Sequence, residues 1–154
     1  MFWIVGICNA VNLLDGLDGL AVGVSSISSI ALLALTLISD NLNVAILTAA
    51  VAGAGFGFLP YNFNPAKIFM GDTGALFLGF ILACISVQGM LKMSAVITFA
   101  VPILILGLPI FDTMFAIIRR VLTGHSPMQA DRGHLHHRLL DMGFSQRRVV
   151  TILY

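Results

Sequence analysis

Glutamate is missing from this 154-residue chain, and charge of either sign is scarce: eight Lys and Arg and seven acids, together 10% of the sequence. With no Glu, the H-E-x-x-H zinc pattern is excluded, and an EF-hand would lack its terminal ligand. Cysteine is nearly absent too. Cys8 and Cys84 both sit in apolar runs without metal-ligand spacing, so they read as small buried apolar residues. The apolar N-terminus lacks the basic segment of a signal peptide. Basic residues are few and belong to loops, and the net charge is only +1, so nucleic acid is not an expected partner. A soluble domain carries roughly 25% charged residues. Here 58% of the residues are hydrophobic and the mean hydropathy is +1.00, an apolar surplus too large for one small core.

What is present is a series of long apolar runs separated by short polar stretches. A helix needs about 20 apolar residues to cross the hydrocarbon core. Residues 19–38, 44–60, 73–91 and 94–118 fit, which predicts an all-α, polytopic transmembrane bundle with about four complete spans. Ser25, Ser26, Ser28 and Ser29 are expected to face neighbouring helices. Gly53 and Gly57 form a small-xxx-small pair suited to close packing, or mark simple flexibility near a loop. Pro102 and Pro109, flanking Gly107, predict a kink or break in the last span. Residues 1–8 give a partial span, and an apolar run begins at 149. The expectation is therefore a fragment of a larger bundle, a single membrane-embedded domain over 1–154, with Met1 not a natural start.

Alternate polar stretches should lie on one side of the bilayer. Residues 9–18, 61–72 and 119–148 hold Lys67, Arg119, Arg120, Arg132, Arg138, Arg147 and Arg148, while 39–43 and 88–93 hold only Lys92. Lys and Arg accumulate in cytoplasmic loops, so the first set should face the cytoplasm. Asp15, Asp18, Asp72, Asp131, Asp141 and all four histidines lie there as well. Asp40 is on the outer side, and Asp112 lies within an apolar run.

Three constellations carry the chemistry. In N-A-V-N-L-L-D-G-L-D-G-L (9–20), Asn9, Asn12, Asp15 and Asp18 recur every third residue. Each such step turns a helix by about 300°, so all four cannot share a face. Gly16 and Gly19 suggest that the backbone opens, letting both carboxylates turn inward. Carboxylates beside a membrane helix are costly unless hydrated or paired. In Y-N-F-N-P-A-K-I-F-M-G-D-T-G-A-L (61–76), Asp72 precedes a span. It reads as a helix cap or as a ligand for Mg²⁺, which takes one or two carboxylates plus substrate phosphates. Gly71 and Gly74 would let a phosphate approach, and Lys67 would neutralise it or anchor the interface. In D-R-G-H-L-H-H-R-L-L-D-M-G-F (131–144), zinc spacing is lacking. Arg132, His134, His136, His137 and Arg138 suit a diphosphate, or form a solvated basic face. His125 reads as a loop residue. Asp112, three residues past Pro109, reads as a secondary site residue or as a partner for Arg119 or Arg120.

Together the three stretches resemble the polyprenyl-phosphate N-acetylhexosamine-1-phosphate transferases. Asn9–Leu20 is similar to the family's double-aspartate loop, Asn62–Gly74 to its G-D loop, and His134–His137 to its histidine loop. The H-L-H-H-R form resembles the N-acetylglucosamine branch. The phospho-N-acetylmuramoyl-pentapeptide transferase branch more often shows three adjacent histidines followed by Phe-Glu. The resemblance runs over essentially the whole chain. It implies the C-terminal part of a ten-helix enzyme, usually dimeric, in the cytoplasmic membrane, with its site on the cytoplasmic face. Such an enzyme joins a sugar 1-phosphate from a UDP-sugar to a polyprenyl phosphate and releases UMP, with Mg²⁺ or Mn²⁺. It implies Asp72 as metal ligand, and Asp15, Asp18 and His136 beside it as catalytic residues. Asn9, Asn12, Asn62, Lys67, Arg132, His134, His137 and Arg138 are implied on the substrates. The family's adjacent Asp-Asp pair of an earlier loop is absent. A transporter segment would also have broken helices and membrane carboxylates, but would place charge near the midplane. A CDP-alcohol phosphotransferase is disfavoured, because Asp18-Gly19 is followed by Leu20-Ala21-Val22.

Overall fold

The computed structural model describes residues 1–90, 95–124 and 134–154, with the side chains of 90 and 95–99 left aside. Among the described residues every regular element is a helix: α1 Phe2–Leu14, α2 Leu20–Ile38, α3 Leu42–Asn62, α4 Gly71–Met90, α5 Ala95–Ile105, α6 Gly107–Leu122, α7 Leu135–Asp141 and α8 Gln146–Leu153. Three of them, α2, α3 and α4, are long and apolar enough to cross a membrane. The fourth expected span is divided between α5 and α6, as its prolines predicted.

The division has a specific chemical accommodation. Pro109 has no N–H, so the carbonyl of Ile105, four residues earlier, lacks its helical donor. The Ser28 hydroxyl of α2 donates to that oxygen at 3.1 Å. Leu106, at the break, is buried at 1% exposure and packs with Ile7, Val11, Leu32, Leu82 and Ile85. The freed backbone group thus faces protein, the condition for broken helices in a bilayer.

Small residues set the helix contacts, because lipid gives little hydrophobic drive for helices to associate. All four α2 serines are buried. Ser26 packs against Gly55 of α3, where a side chain would clash. The expected pair Gly53 and Gly57 instead faces open space. The reason is register. The face of α3 turned inward carries Ala45, Thr48, Ala52 and Gly55, spaced by three and four residues. α1 and α4 pack closely where Gly79 meets the backbone of Cys8. Cys8 and Cys84 are free thiols, each half-buried.

Hydrogen bonds mark the two ends of the bundle. At one end Ser39 Oγ donates to the Gly89 carbonyl (3.0 Å) and Asn41 Nδ2 to that of Gln88 (3.1 Å). At the other, Asn12 Nδ2 donates to Asp72 Oδ1 (3.1 Å) and the Gly19 N–H to Asn62 Oδ1 (3.1 Å). Trp3 Nε1, near the start of α1, donates to Ser86 Oγ near the end of α4, so these two helices run antiparallel. Large apolar side chains such as Ile46, Phe77, Leu104 and Phe115 remain exposed on the flanks, where a bilayer would cover them.

Candidate active site

The end marked by Asn12 and Asp72 gathers the polar constellations. α1 stops at Leu14 and α2 starts at Leu20, so Asn9 and Asn12 lie on a helix while Asp15 and Asp18 lie in the turn between. Gly19 holds φ +83°, a left-handed conformation that a side chain would strain. The opening expected at the glycines is therefore present, and it releases the carboxylates from the helical drift that separated them in the sequence.

Asp15 is half-buried, and its carboxyl is pushed up to about 6. Loss of water contact is the main cause; the neighbouring carboxylates of Asp72 and then Asp18 add to it. Asp72 is exposed in the first turn of α4, behind Gly71 at φ +65°. One of its oxygens accepts from Asn12, and a helix N-terminus favours its charge. A cleft of about 210 Å³ opens among Asp15, Gly16, Leu17, Asp18, Asn62 and Phe69.

Asp18 points to a different partner. Its Oδ2 accepts from the Ala66 N–H and from Asn64 Nδ2, both at 3.1 Å, and so fastens the loop between α3 and α4. Asn64 Nδ2 also reaches Gln146 of α8 at 2.9 Å, and Arg147 Nε donates to the Asn64 carbonyl. Asn62, at 2% exposure, bridges Gly19 and the Ile68 carbonyl. Its amide is held by backbone at both its oxygen and its nitrogen, and its side chain borders the cleft. Tyr154 closes this support by donating its hydroxyl to the Gly19 carbonyl at 2.6 Å. Val149 and Val150 are fully buried, and Val150 packs with Leu14, Leu20 and Ala21 beneath the turn.

The histidine helix α7 lies directly on the aspartate turn. An added Cβ at Gly16 would sit 2.6 Å from His136 Nε2, so only glycine admits the ring there. His136 is 2% exposed and stands between His134 (ring centroids 5.8 Å apart, nearly parallel) and His137 (4.3 Å). Burial, with the neighbouring His137, brings its imidazole down to about 4; the Asp112 charge works the other way. His136 is therefore neutral at pH 7. His136 itself therefore brings no positive charge to an anion at this helix. Among the described residues nothing bonds His136 Nδ1. Asp112 of α6 reaches α7 as well: His134 Nδ1 lies 2.9 Å from its Oδ2, and the Leu135 N–H donates to Oδ1 at 2.8 Å.

The remaining candidates divide. Lys67 is exposed on the α3–α4 loop. Arg138 is exposed and borders a groove of about 600 Å³ between α6 and α7, with Leu108, Phe111, Phe115, Asp112 and Arg119 among its walls. Asn9 is exposed and turns back to bond the Val5 carbonyl at 2.9 Å, apart from the cleft. Gly74 faces the Met70 side chain, so it is not open to a phosphate as expected. Arg132 and His125 lie outside the described residues. Asn64 and Gln146 are not apparent from the sequence; an Asn before Pro in a turn is the signal for the first.

Among the described residues no three His, Cys or Asp side chains converge as a metal cage. The donor set is smaller: Asp72, Asp15 and the Asn12 carboxamide. That fits Mg²⁺, which keeps waters and binds through one or two carboxylates plus substrate phosphates. A divalent cation would relieve the repulsion from Asp72 that adds to the effect of burial on Asp15.

The chain is similar to several known proteins. The family model for glycosyl transferase family 4 matches residues 1–90. A probable undecaprenyl-phosphate N-acetylglucosaminyl 1-phosphate transferase of Bacillus subtilis is 47% identical over all 154 residues, which cover 43% of that protein. A decaprenyl-phosphate N-acetylglucosaminephosphotransferase of Mycolicibacterium smegmatis is 40% identical over 121 residues, 71% of this chain and 30% of that one. A phospho-N-acetylmuramoyl-pentapeptide-transferase of Staphylococcus aureus is 39% identical over the whole chain and 46% of its own length. The chain thus spans less than half the length of each of these relatives.

Proposed function

This chain belongs to glycosyl transferase family 4, and we propose on that premise that it carries the catalytic face of a sugar-1-phosphate transferase. The enzyme takes N-acetylglucosamine 1-phosphate from a UDP-sugar, places it on a polyprenyl phosphate and releases UMP. This begins a cell-envelope glycan. The observation that carries the reading is the convergence of Asp15, Asp72 and His136 at one end of the bundle, through the Asn12–Asp72 bond and the Gly16–His136 contact.

In the net reaction a phosphate oxygen of the lipid ends up bonded to the phosphorus that bears the sugar. The anhydride bond to UMP breaks, and UMP leaves with the bonding electron pair. Both reactants are anions, so neutralisation and positioning dominate. Asp72 with Asp15 and Asn12 would hold Mg²⁺, which supplies charge neutralisation on the phosphates. Lys67 and Arg138 offer positive charge at the rim. His136, neutral and almost dry, offers a hydrogen bond rather than a charge. The groove beside Arg138 and Arg119 is apolar along Leu104, Leu108, Phe111 and Phe115, which suits a lipid tail whose phosphate lies near the arginines. The Lys and Arg bias supports a cytoplasmic position for this end, the side on which a UDP-sugar is available.

The assay is transfer by the complete enzyme in vesicles containing polyprenyl phosphate, with labelled UDP-N-acetylglucosamine or UDP-N-acetylmuramoyl-pentapeptide. The expected result is a lipid-extractable product and stoichiometric UMP from the first donor only. Product from the second donor alone would establish the pentapeptide branch, which the Staphylococcus relative represents. No lipid product from either would overturn the reading.

A further inference from the structure

Asp112 sits on α6, beyond the break, yet among the described residues its carboxylate bonds only to α7. Oδ2 lies 2.9 Å from His134 Nδ1, and Oδ1 accepts the Leu135 N–H at 2.8 Å. A carboxylate only accepts, so His134 carries its proton on Nδ1 and donates it. Both side chains are nearly dry, at 9% and 6% exposure. Two charge-assisted bonds from one carboxylate fix both a ring and the first residue of a helix. α7 has only seven residues, and a helix that short does not hold itself; its position comes from what it touches.

From that anchor the contacts continue towards the proposed chemistry. The His134 ring lies nearly parallel to His136, 10° apart, and His136 rests on Gly16, next to Asp15. We propose that Asp112 is a positioning residue. Through His134 and the Leu135 amide it sets the height and rotation of α7, and so places His136 and His137 over the aspartate turn. Its carboxylate bonds α7 and none of the candidate metal donors. This inference rests on the transferase reading for its kinetic part and on geometry alone for its structural part.

The test uses the complete enzyme with Asp112→Ala, Asp112→Asn, Asp112→Glu, His134→Gln and the Asp112→Asn/His134→Gln double variant. Misplacing a reacting group by about 1 Å can cost roughly 100-fold, so Asp112→Ala is expected to lower kcat/KM for the UDP-sugar about 10- to 100-fold. Asp112→Glu should recover part of the loss. The double variant should lose no more than the worse single one, because both act through one contact. The Mg²⁺ concentration for half-maximal rate should not move in any variant. Hydrogen exchange in the peptide over residues 134–141 should quicken in Asp112→Ala. Unchanged kinetics, additive losses or a shifted Mg²⁺ response would overturn the proposal. If Asp112→Ala fails to fold, the near-isosteric Asp112→Asn decides by the same measures. A wild type without transferase activity would refute the functional reading instead. In that case unchanged exchange over 134–141 would still overturn the anchoring role, and faster exchange would uphold it.

Discussion

Two residues at the proposed site have opposite electrostatic histories. Asp72 is exposed and, among the described residues, bonds only Asn12, whereas His136 is buried and neutral. Asp72→Asn keeps the size and an acceptor for the Asn12 amide but removes a hard anionic ligand. It is expected to reduce transfer at least about 100-fold while thermal stability changes by less than about 1 kcal/mol, since the loss to folding is only a surface cap. Transfer rates across a Mg²⁺ titration, with a melting curve of the same sample, check this; normal rates at low Mg²⁺ would leave Asp72 a cap. For His136 the ionisation falls from its ordinary 6.5 to about 4 in the fold. Between those values the unfolded chain binds a proton that the folded chain refuses, so stability is lost as pH drops from 6.5 towards 4. The whole effect amounts to roughly 3 kcal/mol at most. Asp15 acts in the opposite sense, because its raised ionisation lets the folded chain bind a proton first. The comparison that isolates His136 is therefore wild type against His136→Gln: the wild type should lose more stability over that pH interval. Parallel curves would contradict the burial argument.

At the scale of elements, the helices were legible and their contacts were not. Apolar length located α2, α3 and α4, and Pro102 and Pro109 located the break. Periodicity tells which residues share a face, but not which face meets a neighbour. Gly53 and Gly57 share one as expected, yet α2 packs on the stripe through Gly55. The Ser28–Ile105 bond likewise depends on a neighbour 77 residues away. Removing it with Ser28→Ala leaves a half-buried carbonyl without a donor, at a cost of about 1 kcal/mol. Adding Pro109→Ala restores an N–H four residues after Ile105 and should recover most of that loss. Unfolding in detergent measures both; a Ser28→Ala variant as stable as the wild type would mean that the break does not depend on this donor.

For the whole molecule, even spacing of polar loops by spans, and one-sided Lys and Arg, indicated which loops would meet. The meeting itself comes from tertiary contacts: Asn64 linking Asp18 to Gln146, Asp112 holding His134, and Gly16 admitting His136. None of these partners stands within twenty residues of the other, so no local pattern shows them. The topology makes its own prediction. With Lys67→Cys and Asn41→Cys in the complete enzyme, a membrane-impermeant thiol reagent applied to intact cells should label position 41 and spare position 67 until the cells are opened. The reverse pattern would invert the bundle and place the site outside.

The central claim is that three separate loops form one nucleotide-sugar site. Photolabelling of the complete enzyme with an azido-substituted UDP-N-acetylglucosamine, followed by peptide mapping, tests it most directly. Crosslinks are expected within residues 9–19, 61–72 and 134–141, competed away by unlabelled UDP-sugar. Competed crosslinks at the opposite end, within 39–43 or at 88–89, with those three stretches unlabelled, would contradict it.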